Sequence, residues 1–282
     1  MSDAASSRGS PPVSVVMTVY NGEPWTAEAV ESILGQTFAD FELIVVDDGS
    51  TDSTADVLHR YRDPRLRLVR QSRAGQTPAL NRALRLARAP LLARMDADDV
   101  ALPQRLEQQV AFLGAHPEIG LLGTACHEIT ADGKIVRTLT PPTDDPTIRR
   151  ALIRHNPFIH TSVMFRRGLL DVAGWYDEGF AVAQDYDLWI RMSRATRLAN
   201  LPEPLVLRRL APEQLSSRRD TTRIRDEVVA RLRALRRRAY PPWCAIYLAK
   251  PLCALALPPG LRRSLRRAIL RGDRPGALPP RS

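Results

Sequence analysis

The sequence predicts an α/β fold: a mostly parallel central sheet flanked by helices, with a C-terminal basic helical extension. Three observations carry this. Apolar, β-branched runs with no polar alternation recur through the first hundred residues, as at Val13–Val19 and 41–46, the pattern of strands covered on both faces. Segments with helical spacing separate them, and strands that alternate with helices call for crossovers and parallel pairing. Charge is partitioned along the chain: residues 1–203 hold 22 Lys/Arg against 26 Asp/Glu, whereas residues 204–282 hold 19 against 5. A mildly acidic domain therefore carries a strongly basic tail, and that asymmetry points to an anionic partner for the tail.

The elements follow in order. The first strand, 13–19, ends in Tyr20-Asn21-Gly22-Glu23; Pro24 suits the first turn of a helix in which Ala27, Val30, Ile33 and Leu34 recur before Gly35. A second buried strand, 41–46, runs into Asp47-Asp48-Gly49-Ser50-Thr51-Asp52-Ser53-Thr54, where Ser50 is expected to cap a helix carrying Val57 and Leu58. A short strand at 65–69 precedes a helix at 76–88 with Leu80, Leu84 and Ala87 on one stripe. The apolar segment 89–95 then leads into Asp96. After Pro103 comes a helix with Leu106, Val110 and Leu113, then strands at 119–124 and 135–139 separated by the hairpin signal Asp132-Gly133. A helix is expected at 144–154, a strand at 158–165, a loop at Gly174-Trp175-Tyr176-Asp177 and a helix at 184–194. The core closes near Leu210. This divides the chain into a disordered lead at 1–12, a core domain at 13–210 and a tail at 211–282.

Three cysteines, Cys126, Cys244 and Cys253, are odd in number and lack C-x-x-C spacing, so neither a disulfide framework nor a zinc knuckle is indicated. The lead has no apolar signal-peptide core. Both features suit the cytoplasm. His59, His116, His127 and His155 show no metal spacing. The absence of G-x-G-x-x-G after either early strand argues against a dinucleotide site.

The stretch Arg94-Met95-Asp96-Ala97-Asp98-Asp99 gathers three carboxylates within four residues. Like charges so close need a cation, a solvated turn or a positive ligand, and a divalent metal is the tightest of these. The acids sit where a strand ends, the edge at which open α/β sheets bind ligands. An acidic turn alone is more often plain solvated loop; its company changes that.

That company consists of several blocks in a fixed order: 15–22, Ser32 to Thr37, 41–52, Gly75 with Asn81-Arg82-Ala83-Leu84, 95–99, 156–167 and 184–191. Together they resemble the family-2 inverting glycosyltransferases over about residues 13–210. The resemblance implies the GT-A fold, a Rossmann-like version of the predicted sheet, and transfer of a sugar from a nucleotide-diphosphate sugar to a hydroxyl of a glycan or lipid-linked acceptor. It implies that Thr18 and Tyr20 lie near base and ribose, with Glu23 by the same pocket, that Asp48 accepts a hydrogen bond from the base, and that Asn81 belongs to the donor-binding set. Displacing a nucleoside diphosphate builds negative charge that Mn²⁺ or Mg²⁺ neutralises. Asp98 is the expected direct ligand, and Asp96 faces ribose or metal-bound water.

Inverting transfer needs a carboxylate base for the acceptor hydroxyl. By the resemblance that base is Asp185. Asp187 is its rival, but residues two apart on a helix do not share a face. Gln184 departs from the Glu usual in the family, and Leu80 from an Arg. The loss of a like charge at Gln184 puts acceptor contacts in doubt more than catalysis. His160 has two readings of equal weight, an approach to the diphosphate or acceptor and a satisfied core residue. Trp175 and Trp189 suit either sugar stacking or packing, with packing favoured for Trp189.

In the tail, arginines surround a stripe of Ile224, Val228, Leu232 and Leu235. The apolar segment 243–257 is broken by Lys250-Pro251 and too short to span a bilayer. With Tyr240, Trp243, Tyr247 and the basic segment 261–271 it reads as a peripheral anchor on an anionic membrane surface, the inner face of the plasma membrane. A solvated helix packed on the core is the competing reading; nucleic acid is not expected, because an RNA-binding tail has no use for the apolar stretch. The whole reads as a metal-dependent, inverting, non-processive enzyme of cell-envelope or surface polysaccharide synthesis, with no Gln-x-x-Arg-Trp motif of the polymerising synthases. Two alternatives stand beside it: a sugar nucleotidyltransferase, which is expected to carry a Gly-rich loop where this chain has Tyr20-Asn21-Gly22-Glu23, and a non-catalytic membrane adaptor.

Overall fold

A computed structural model describes residues 9–210 and 217–257; the basic segment 261–271 and the first eight residues of the lead lie outside the described residues. The chain order is β1 (Val13–Val19), α1 (Glu23–Leu34), β2 (Phe41–Asp47), α2 (Thr54–His59), β3 (Leu66–Arg70), α3 (Gln76–Leu86), β4 (Leu91–Asp96), β5 (Val100–Ala101), α4 (Arg105–Ala115), β6 (Ile119–Ile129), β7 (Ile135–Leu139), α5 (Asp145–Leu152), β8 (Met164–Arg166), α6 (Leu169–Ala173), α7 (Gln184–Met192), β9 (Arg197–Arg209), α8 (Ser217–Arg236) and α9 (Ala249–Ala256).

The sheet runs β3-β2-β1-β4-β8-β6-β9-β5, with β7 pairing off β6. It is parallel from β3 to β4, as the alternation of strand and helix demands. Beyond β4 it is mixed: β8 runs antiparallel to β4 and β6, β9 parallel to β6, and β5 antiparallel to β9. Successive strand side chains point to opposite faces, so each central strand feeds two cores. Val16, Ile44, Val46 and Leu92 pack with Leu80 and Leu84 of α3 and Leu188 and Trp189 of α7. Val15, Met17, Leu43, Val45, Ala93 and Met95 pack with Val30 and Ile33 of α1 and Leu106 and Leu113 of α4. Trp189 is fully buried, edge-on to Phe158, Phe165, His160 and Tyr176, which makes it a packing residue.

Two local expectations give way. Residues 158–165 are not one strand: Ile159 leads into a 3-10 turn, His160–Ser162, before β8. Polar demand explains it. The Thr161 hydroxyl accepts from the Asp96 amide at 3.1 Å, and the Ser162 hydroxyl donates to the Ile159 carbonyl at 2.9 Å, so the backbone turns to deliver both. Ser50 does not cap α2, whose N-cap is Ser53; its hydroxyl accepts from the Asn21 amide at 3.0 Å and ties the loop after β1 to the loop after β2.

The described tail is built onto the core. Ala230 and Ala234 of α8 join the cluster around Trp189, and the buried guanidinium of Arg231 donates to the Tyr186 hydroxyl at 3.1 Å. Val228 is buried, but Leu232, on the expected stripe, is exposed. Pro242–Leu248 forms a 3-10 segment leading into α9, and Cys244 and Leu248 bury there. No helix among the described residues is long and apolar enough to cross a membrane.

Candidate active site

The carboxyl ends of β1, β2 and β4 lie side by side. Register sets Thr18 beside Val46 and Asp96, and Val19 beside Asp47, so every residue that follows these strands opens onto one edge. There a cavity of about 690 Å³ is lined by Thr18, Tyr20, Asp48, Asp96, Asp98, His160 and Asp185, seven of the residues singled out from sequence. Two are placed elsewhere. Glu23 is exposed at the start of α1 and does not line the cavity. Asn81 is buried on α3, where its amide donates to the Tyr176 carbonyl and to Glu178, each at 2.9 Å, and so braces a loop.

Asp48 pins the loop that forms one wall. Its Oδ1 accepts from the Gln71 amide group at 2.7 Å and the Ala74 amide at 2.8 Å, and its Oδ2 from the Gly75 amide at 2.8 Å. Gly49 beside it has φ +76°, and a Cβ there would meet the Arg73 amide nitrogen at 2.8 Å, so the turn requires glycine. The same loop brings the Arg73 guanidinium over the Tyr20 ring, 3.2 Å from its centroid. Asn21, at φ +49°, accepts from the Thr51 amide at 2.8 Å and fixes the strand-end loops to each other.

The acidic turn is balanced by buried cations. Arg94, fully buried, pairs with Asp96 and donates to the Met95 carbonyl; Arg105, also fully buried, donates to the Arg94 carbonyl at 2.6 Å. Arg209 donates through its side chain to the Asp98 carbonyl at 3.0 Å, and its amide donates to Asp99 at 2.8 Å. The three carboxyls therefore differ. Burial disfavours the Asp96 anion, but its positive neighbours, Arg94 foremost, together outweigh burial and hold the pKa below the usual range. Burial, then the Asp96 charge, pushes Asp98 up to about 6. Burial and both neighbours push Asp99 well above the ordinary value.

Asp96 and Asp98 thus form a hard oxygen pair on the cavity wall whose like-charge repulsion the neighbouring arginines offset only in part, since Asp98 stays raised; that is the chemistry that suits Mg²⁺ or Mn²⁺. Among the described residues no group of three or more His, Cys, Asp or Glu is arranged to hold an ion. A site of one or two carboxylates that leaves its remaining positions to phosphate and water fits these residues.

In the same cavity Asp185 sits in the first turn of α7. Its Oδ2 accepts from the Asn156 side-chain amide at 2.8 Å, and burial pushes its pKa up to about 6. Asp187 is turned away and pairs with Arg191 at 2.8 Å, which in turn donates to the Trp175 carbonyl. Gln184 also lines the cavity; its Oε1 is buried without a partner among the described residues. His160 contacts the Tyr176 hydroxyl at 3.0 Å, and burial with the Arg94 charge holds its pKa down to about 3, so the ring is neutral.

The cavity also takes Arg73, Arg208 and Arg223, which sequence reasoning did not single out. They come from three distant segments, and arginine is too frequent in this chain for any one to stand out.

The chain matches the family model of glycosyl transferase family 2 over residues 14–173. It is 33% identical over 255 residues to EpsE of Bacillus subtilis, which carries a provisional glycosyltransferase designation, covering 88% of this chain and 90% of EpsE. It is 34% identical over 221 residues to the amylovoran biosynthesis glycosyltransferase AmsE of Erwinia amylovora, covering 76% and 82%. Among solved structures, S. aureus TarS 1–349 in complex with UDP-GlcNAc superposes with a TM-score of 0.66 at 22% identity, covering 85% of this chain and 71% of that one. The mannosyltransferase PcManGT of Pyrobaculum calidifontis, in complex with GDP-Man and Mn²⁺, gives 0.61 at 23% identity, covering 93% and 81%.

Proposed function

The chain belongs to glycosyl transferase family 2 and is a glycosyltransferase, and we propose that it performs a metal-dependent, inverting transfer from a nucleotide-diphosphate sugar to an acceptor hydroxyl in surface polysaccharide synthesis. The observation that carries this reading is the meeting, in one cavity, of a nucleoside-sized wall at Tyr20 and Asp48, an acidic pair at Asp96 and Asp98, and a buried carboxylate at Asp185. The names of AmsE and of the UDP-GlcNAc and GDP-Man complexes support the polysaccharide and donor classes.

In this reading the base and ribose lie against Tyr20, Thr18 and the loop braced by Asp48. Asp96 and Asp98 would hold a divalent cation, which would supply charge neutralisation to the diphosphate. Arg73 and Arg208 add fixed positive charge at the same wall. Asp185 accepts the proton of the acceptor hydroxyl as that oxygen bonds to the anomeric carbon, and the bond from that carbon to the diphosphate oxygen breaks on the opposite side. A pKa raised to about 6 leaves Asp185 ionised at neutral pH yet more basic than an ordinary carboxylate.

The test is a panel of UDP- and GDP-sugars incubated with Mn²⁺. Release of nucleoside diphosphate is expected; release of pyrophosphate would replace this reading with nucleotidyl transfer, and no release from any donor would favour the adaptor.

The tail, residues 211–282, adds a membrane face to this reading. Trp243 and Ile246 are 67% and 68% exposed, Leu252 is exposed beside them, and Lys250 and Arg236 to Arg238 are exposed nearby. Apolar side chains that bury into a headgroup layer, ringed by cations, suit an anionic cytoplasmic leaflet. W243A/I246A is expected to lower binding to phosphatidylglycerol vesicles in a flotation assay by about tenfold or more. Unchanged flotation would remove this face from the account.

A further inference from the structure

The loop that delivers Asp185 to the cavity is held at nearly every step. Arg191 of α7 donates to the carbonyls of Ala173 and Trp175, and Asn81 of α3 holds Tyr176 and Glu178. From Asp177 to Val182, the stretch just before α7, the loop is also tied to the C-terminal helix. Asp226 of α8 presents one oxygen, Oδ2, to two successive amides, Ala181 and Val182, each at 3.0 Å. One turn-pair further along, Arg233 bonds Asp177 at 2.6 Å and lies over the Phe180 ring, 4.8 Å from its centroid.

The Asn156 amide steadies the Asp185 carboxylate, but the start of α7 lacks a side-chain cap. Its N-cap, Ala183, has no side chain that can bond the helix amides, and Gln184 and Asp185 follow at once. Whatever fixes the backbone at 181 and 182 fixes the direction in which Asp185 leaves the helix. Val182 and Gln184 line the cavity themselves, and so does Arg223, one turn before Asp226 on the same face of α8. A carboxylate that accepts two backbone amides makes a charge-assisted pair of bonds, stronger than neutral ones.

We propose that Asp226 is a positioning residue for the transfer reaction: by clasping the Ala181 and Val182 amides, α8 sets the placement of Asp185, so that the basic tail completes the acceptor side of the site. This rests on the reading of Asp185 as the base. It also gives the tail a role separate from any contact with lipid, since the clasp holds Val182, which lines the cavity, while Trp243 and Ile246 are exposed.

The test uses the full chain, with water as acceptor: Mn²⁺-supported hydrolysis of the sugar nucleotide that the wild-type enzyme accepts, and calorimetric binding of UDP or GDP. D226A is expected to lower kcat by about 10- to 100-fold, the cost of a misplaced base, with nucleoside diphosphate affinity unchanged. D226N, whose amide oxygen still accepts from both amides, should recover most of that loss, and amide exchange across residues 177–184 should rise in D226A alone. Wild-type kcat in D226A, or nucleotide affinity falling in step with kcat, would overturn the proposal. Should D226A not fold, R233A removes the tether at Asp177 and is judged by the same two readouts. A wild-type enzyme that hydrolyses no sugar nucleotide would instead sink the function on which the proposal stands.

Discussion

Asp185→Asn is expected to abolish transfer while the nucleotide still binds. The substitution keeps the size of the side chain and an oxygen for the Asn156 amide, which donates to Asp185 at 2.8 Å, so the local structure should survive. What it removes is the capacity to take a proton. General base catalysis contributes about 10²- to 10⁴-fold, and kcat should fall by that factor, with the calorimetric affinity for UDP or GDP unchanged. The pH profile adds an independent check. A base works in its ionised form, and burial pushes Asp185 up to about 6, so wild-type kcat should be level at neutral pH and decline as pH falls through about 6. The residual rate of the Asn variant should lack that limb. Asp187→Asn should behave differently, because Asp187 pairs with Arg191 and thereby holds the 173–175 loop; its loss should appear in thermal unfolding. Equal turnover in wild type and Asp185→Asn would take Asp185 out of the chemistry.

In the parallel half of the sheet β1 and β2 were legible because they are buried and largely apolar on both faces, as Val13–Val19 and Phe41–Asp47. β9 was not. It contains Pro202 and Pro204, which cannot donate ladder bonds, and ends in paired arginines, so no apolar strand pattern marks it. It forms a strand because its partner β6 shifts register between Thr124 and Cys126, passing Pro202 and Glu203 without demanding a ladder bond from them. The tail shows the same limit. A stripe of large apolar residues pointed to 224, 228, 232 and 235, whereas α8 meets the core through Ala230 and Ala234, whose small side chains allow close approach, and through an arginine that Tyr186 satisfies. In the site, the acids were visible because they end strands. Asp226 was not, since its two partners are backbone amides 44 and 45 positions away, and backbone partners leave no mark in a sequence.

Asp98→Ala should separate metal binding from the rest of the site. Of the three acids, Asp99 is tied to the Arg209 amide and Asp96 to Arg94, so each has a structural partner within the fold. Asp98 lines the cavity, and burial together with the Asp96 charge makes its anion costly in the absence of a cation. An anion kept at such cost is best explained by a cation that arrives with the donor. Lewis-acid neutralisation of a leaving diphosphate is worth several kcal/mol, so kcat should fall by about 10²- to 10³-fold in Asp98→Ala. Nucleoside diphosphate affinity should fall too, but only when Mn²⁺ is present; with a chelator, variant and wild type should bind alike. Asp99→Asn, at a residue that also lines the cavity but whose carboxyl is tied to the Arg209 amide, should weaken stability more than metal-dependent binding. If UDP and GDP bind the wild-type protein equally well in Mn²⁺ and in chelator, the acidic pair has no cation to hold. The repulsion between Asp96 and Asp98 would then be relieved by Arg94, Arg208 and Arg209, and diphosphate departure would have to rely on Arg73, Arg208 and Arg223 around the same cavity.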